Sequence, residues 1–84
     1  GESALPEEQE RIANALVADA SVKRIIHMRT LHLGPDEILV AAKIDFGVII
    51  NAQDLATAID DAERRGRAAS NSRLTIYIEP GISR

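Results

Sequence analysis

Cysteine and tryptophan are absent, and Phe46 and Tyr77 are the only aromatic residues. Without cysteine there are no disulfides, no thiolate zinc sites and no thiol nucleophiles. The absence also suits a reducing compartment. With so few aromatics, and with basic residues scattered along a chain of net charge −3, neither a stacking platform nor a basic face for nucleic acid is present. No window approaches the roughly 18 apolar residues of a spanning helix, and no signal-peptide pattern opens the sequence, so the chain itself is expected to stay in water. Also missing are a Gly-x-Ser-x-Gly elbow, a Gly-rich phosphate loop and histidines paired at helical spacing. The expectation is a domain that is not an enzyme.

What is there is patterned. The 84 residues make one domain, and a chain this short buries only about 60–65% of its unfolded surface, a modest basis for stability that a partner subunit commonly supplements. A helix is predicted from Pro6 to Ala18. Proline fits its first turn, Glu7, Glu8 and Glu10 suit the positive end of its dipole, and Ile12, Ala13, Leu16 and Val17 form an apolar stripe. Val22 to Thr30 and Ile38 to Phe46 read as strands, with Leu33-Gly34-Pro35-Asp36 as the turn between them. In the second strand Ile38, Val40, Ala42, Ile44 and Phe46 point one way, and Leu39, Ala41, Lys43 and Asp45 the other.

A second helix is predicted from Ala52 to Ala69, capped by Asn51, with Asp54 in the place of a capping-box acid. Its apolar stripe is Leu55, Ala58, Ile59 and Ala62. Asp60, Asp61 and Glu63 each precede an arginine by four residues, which describes a solvated, ion-paired face. A last strand, Leu74 to Glu79, is ended by Pro80 and Gly81. Residues 1–5 read as a flexible segment, 6–80 as the domain and 81–84 as a tail.

The order helix, strand, strand, helix, strand implies an α+β domain. An antiparallel hairpin followed by a right-handed strand–helix–strand crossover gives a three-stranded mixed sheet with both helices on one face, a truncated ferredoxin-like fold. The other face is left uncovered. If Val22, Ile26 and Met28 face the helices, that face carries Lys23, Ile25, His27 and Arg29, then Leu39, Ala41, Lys43 and Asp45, then Thr75, Tyr77 and Glu79. It reads as plain surface, as a dimer interface, or as a metal site within one. The uncovered face and small core together predict a homodimer. His27 and His32 with Asp36, Glu37 and Glu79 are the only cluster of possible ligands. Imidazole with carboxylate suits a divalent ion of the zinc or manganese class, though the spacing matches no specific zinc motif.

The stretch Ile26-His27-Met28-Arg29-Thr30-Leu31-His32-Leu33-Gly34-Pro35-Asp36-Glu37 resembles the first strand and turn of the cytoplasmic C-terminal domain of cation diffusion facilitator metal transporters. Val40 to Phe46 is similar to that family's second strand, and Thr75-Ile76-Tyr77-Ile78-Glu79-Pro80 to its closing strand, an acid followed by proline. Between them the helix with Ala58-Ile59-Asp60 and Glu63-Arg64-Arg65 sits in the right place. The likeness runs from about Pro6 to Pro80.

That resemblance implies the dimerising regulatory domain of an exporter of zinc, iron, cobalt or manganese, facing the cytoplasm beside the transmembrane domain of the same transporter. It implies a metal between the paired domains in some members, held by a strand-one histidine, a second-strand histidine, one near the second helix, and a His-x-acid pair in the last strand. His27 matches the first and Glu79 the acid. Ala42, Gln53 and Tyr77 match the rest and are poor ligands, so the site is either absent or rebuilt from His32 and Asp36. If metal binds, His27 and Glu79 are the expected pair. Gly66 departs from the pattern where a larger apolar residue is expected, and the Ser70-Asn71-Ser72 loop where a hydrophobic residue and a proline are expected. Gly rather than Met at position 1 favours a domain excised from a longer chain. The rival reading is a free-standing ferredoxin-like module that binds a ligand or assembles through its open face.

Overall fold

A computed structural model describes residues 1–49 and 51–84. Its elements are α1 (Pro6–Leu16), β1 (Arg24–Gly34), β2 (Glu37–Asp45), α2 (Ala52–Ala68) and β3 (Arg73–Pro80). The sheet order is β1-β2-β3, with β1 and β2 antiparallel and β2 and β3 parallel. This is the expected α+β, truncated ferredoxin-like arrangement. β1 runs four residues further than its apolar run indicates, and only Pro35 and Asp36 remain as the turn.

Alternation in β2 sets the core. Ile38, Val40, Ala42, Ile44 and Phe46 are all buried, and Leu74 and Ile76 of β3 join them. Removing such side chains from water is the main stabilising term in a domain this small. Ile12 and Leu16 of α1 and Ala62 of α2 close the core from the helix side. Ile59 of the predicted apolar stripe is only half-buried. The deepest positions of α2 are Ala62 and Gly66 instead, because small residues let that helix lie close to α1 and β3. Gly66 is therefore a packing residue and not a gap in the stripe.

Local signals place the helix ends. Asn51 caps α2, its side-chain oxygen accepting from the Asp54 backbone N–H at 2.8 Å. Arg67 pairs with Glu63 as the i,i+4 spacing predicts, and Arg64 with Asp61 at i,i+3, one residue closer. Arg65 behaves differently. Its guanidinium donates to the carbonyls of Ala15 and Leu16 at 2.9 and 2.8 Å, so a cation on α2 satisfies the end of α1.

The chain ends are tied to the sheet. Residues 1–5 lie along β1: Ala4 is buried, its N–H donates to Thr30 Oγ1 at 3.0 Å, and the His32 N–H donates to the Glu2 carbonyl at 2.7 Å. At the other end the Gly81 N–H donates to the Ile44 carbonyl at 2.9 Å.

Candidate functional site

Both helices pack on the face that carries Ile38, Val40 and Ile44, so the opposite face of the sheet is open. Register decides which side chains share it. Arg29 lies opposite Ala41 and Leu31 opposite Leu39 on β1 and β2, while Ala41 lies beside Tyr77 and Leu39 beside Thr75 on β2 and β3. Leu31 and Tyr77 are exposed there, which gives the face an apolar middle. An ion pair stands toward each end of it. Arg73 and Glu37 approach to 3.6 Å at one end, and Lys43 and Glu79 to 3.8 Å at the other.

One strand differs from its expected parity. Ile25 pairs with Ile44 and His27 with Lys43, so Ile26 is an extra residue in β1, a β-bulge. The bulge turns Ile25 toward the helices, where it packs against the core, and leaves Ile26 near Lys43 and Gly81. The assignment of Ile25 to the open face and Ile26 to the helix face is thus reversed. Two adjacent isoleucines carry no mark of which one is inserted.

His27 keeps its expected place. It lines a shallow groove of about 290 Å³ with Arg29, Lys43, Tyr77 and Glu79. Glu79 shares that groove, yet Lys43 stands between the two, paired with each in the register. His32 is elsewhere. It pairs with Ile38, whose side chain is in the core, so the imidazole lies on the helix side, half-buried, with Nδ1 3.2 Å from the Gly34 carbonyl oxygen. Leu5, Glu8, Asn71 and Ser72 surround it. Asp36 is exposed on the turn, and Glu37 is committed to Arg73. Ala42 points into the core, on the face away from His27.

The candidate ligands therefore do not form one cluster, and no group of three or more His, Cys, Asp or Glu side chains among the described residues could hold a metal ion. Within one chain the donor set does not fit a resident metal. His27 and Glu79 are two donors with an ammonium between them, where a closed site needs about four.

Asp45 is a residue whose importance the sequence does not signal. It is placed on the outward parity of β2 yet is buried, because the tail folds over it. The Ser83 N–H donates to Oδ2 at 2.9 Å and the Gly47 N–H to Oδ1 at 2.8 Å. These donors, the Ser83 N–H foremost, lower its pKa to about 2, and Lys23 at 4.0 Å adds to the effect. Gly47 takes a positive φ of 73°, a conformation that glycine adopts freely, and so turns the chain out of β2 beside this carboxylate.

No helix among the described residues is long and apolar enough to cross a membrane. No protein-family model and no curated protein matches the sequence. Solved structures do match. A single-alanine variant of MamM-CTD superposes with a TM-score of 0.83 at 14% identity, covering 95% of this chain and 100% of that one. A double-alanine variant of MamM-CTD gives 0.81 at 17%, covering 93% of each. The MamB CTD, a magnetosome protein of Desulfamplus magnetovallimortis BW-1, gives 0.79 at 13%, covering 93% of this chain and 95% of that one. The chain has the fold of these domains over more than nine-tenths of its length.

Proposed function

We propose that the chain is the cytoplasmic regulatory domain of a divalent-cation exporter of the cation diffusion facilitator class, working as a homodimer beside the transmembrane domain of the same transporter. The observation that carries this is the fold shared over more than nine-tenths of both chains with the MamM and MamB C-terminal domains, which are domains of that class. Supporting it, the motif residues fall where the motif implies. His27 lies on β1, Gly34-Pro35-Asp36 at the hairpin turn, and Glu79-Pro80 at the end of β3. The cargo is a cation of the zinc, iron, cobalt or manganese class, carried by membrane segments and not by this chain.

The open face supplies the physical basis for regulation. An apolar middle between two ion pairs is a surface suited to a second copy, since a small domain gains stability by covering it. Contacts between two such domains differ in free energy between two arrangements of the transporter, and that difference sets the balance between them.

Cells that express the complete gene, with and without residues 1–84, test the reading through their content of zinc and manganese. The expected result is faster efflux when the domain is present. A reading frame that adjoins no membrane-spanning helices would overturn it and leave the free-standing ligand-binding or assembly module.

A further inference from the structure

Register sets His27, Lys43 and Glu79 abreast on the open face, with Lys43 in the middle. Neighbouring strands are about 4.8 Å apart, so roughly 10 Å separates the imidazole-bearing and carboxylate-bearing positions across an ammonium. Lys43 already supplies Glu79 with a positive charge, Nζ lying 3.8 Å from Oε1. Left in water, such a pair contributes little, and the Glu79 side chain is 70% exposed. Arg29 lines the same groove and makes no ion pair among the described residues. This end of the face thus holds two permanent cations against one carboxylate. That surplus repels a divalent cation, and it leaves positive charge free to meet a second carboxylate.

We propose that the open face docks on the open face of a second copy, with Lys43 and Arg29 of each copy engaging Glu79 of the other, so that an internal ammonium takes the place of a bridging metal ion. The proposal rests on the dimer reading above and deepens it, because it makes the dimer permanent and indifferent to metal. Charge complementarity supports the choice of occupant. The face carries both signs at each end, Lys43 with Glu79 and Arg73 with Glu37, around exposed Leu31 and Tyr77. Facing sheets pack about 10 Å apart, which brings long charged side chains of one within reach of the other and excludes water from the pairs. An ion pair covered in this way is stronger than the same pair on a free surface.

The test is sedimentation equilibrium of the 84-residue chain, in EDTA and with one equivalent of zinc or manganese, for wild type, Lys43→Glu and Glu79→Lys. The expected dimer constant of wild type is the same in EDTA and in metal. Each charge reversal weakens its own dimer by roughly tenfold or more, since like charges then face each other. An equimolar mixture of the two variants restores association, because the acidic face of one meets the basic face of the other. That mixture separates a pair between copies from a pair within one chain. The proposal is overturned if wild type comes apart in EDTA or tightens roughly tenfold with metal, or if the mixture stays monomeric. In the first two cases the dimer reading stands and the metal-free pairing falls. Wild type that is monomeric in every condition would take the dimer reading down with it. Both substituted residues sit at the surface, and circular dichroism of each variant in the same buffers checks that it is folded.

Discussion

Gly66 of α2 faces Leu16 of α1 so closely that a β-carbon there would stand 3.1 Å from Leu16 Cδ2 and 3.2 Å from Ile76 Cδ1. Two effects oppose each other in Gly66→Ala. Alanine is the better helix former by about 1 kcal/mol, and the overpacking costs about 1–3 kcal/mol. We expect alanine to change stability by no more than about 2 kcal/mol, and Gly66→Val to lose clearly more than alanine does, since its methyls have nowhere to go. Urea unfolding of the two variants checks the order. Valine as well tolerated as alanine would show that the helices are not held at this distance.

Arg65 joins the helices by a different means. Its two hydrogen bonds to the carbonyls of Ala15 and Leu16 bring a cation to the negative end of α1. Arg65→Met keeps most of the apolar stem and removes the donors. It should cost about 1–2 kcal/mol in urea unfolding, while Arg64→Met, whose partner is the exposed Asp61, should cost less than about 0.5 kcal/mol. Equal losses would mean that the α1 carbonyls are satisfied equally well by water.

The bulge at Ile26 makes neighbouring isoleucines unequal. Ile25 packs against the core and Ile26 lies on the other side of the sheet. Ile25→Ala should cost about 2–3 kcal/mol and Ile26→Ala about 1 kcal/mol or less in the 84-residue chain. The reverse order would restore the uninterrupted alternation that the sequence pattern predicts.

Asp45 makes stability depend on acid. Its pKa falls from 3.8 to about 2 in the folded chain. A carboxyl with a depressed folded pKa stabilises the fold fully above its unfolded pKa, and that contribution is lost as pH falls from 3.8 through about 2. The stability difference between wild type and Asp45→Asn should therefore be flat at neutral pH and shrink across that acid window. A difference that is constant down to pH 2 would show that the Ser83 and Gly47 N–H groups do not hold the carboxylate.

Most of the fold is legible in the sequence because each local signal agrees with the next. The alternation from Ile38 to Phe46 identifies the buried face, and Asn51 and Pro35 mark a helix start and a turn. Four features escape it, each for a physical reason. Ile25 and Ile26 are chemically identical, so parity cannot locate the bulge. Gly66 looks like a weakness until the neighbours that need its missing side chain are in place. Asp45 and Arg65 draw their roles from groups 38 and about 50 residues away, beyond any local pattern. His27 and Glu79 are legible as members of one face. That Lys43 stands between them follows from the pairing of strands, not from their spacing in the chain.

The most direct measurement is the initial rate of zinc or manganese efflux from proteoliposomes containing the full-length protein, with Glu79→Lys compared with wild type and with the double variant Lys43→Glu, Glu79→Lys. If this chain regulates an exporter by pairing through its open face, Glu79→Lys lowers the rate by roughly tenfold, and the double variant recovers most of it because opposite charges again meet across the face. Equal rates in all three proteins would contradict the account, since pairing of this face would then have no bearing on transport.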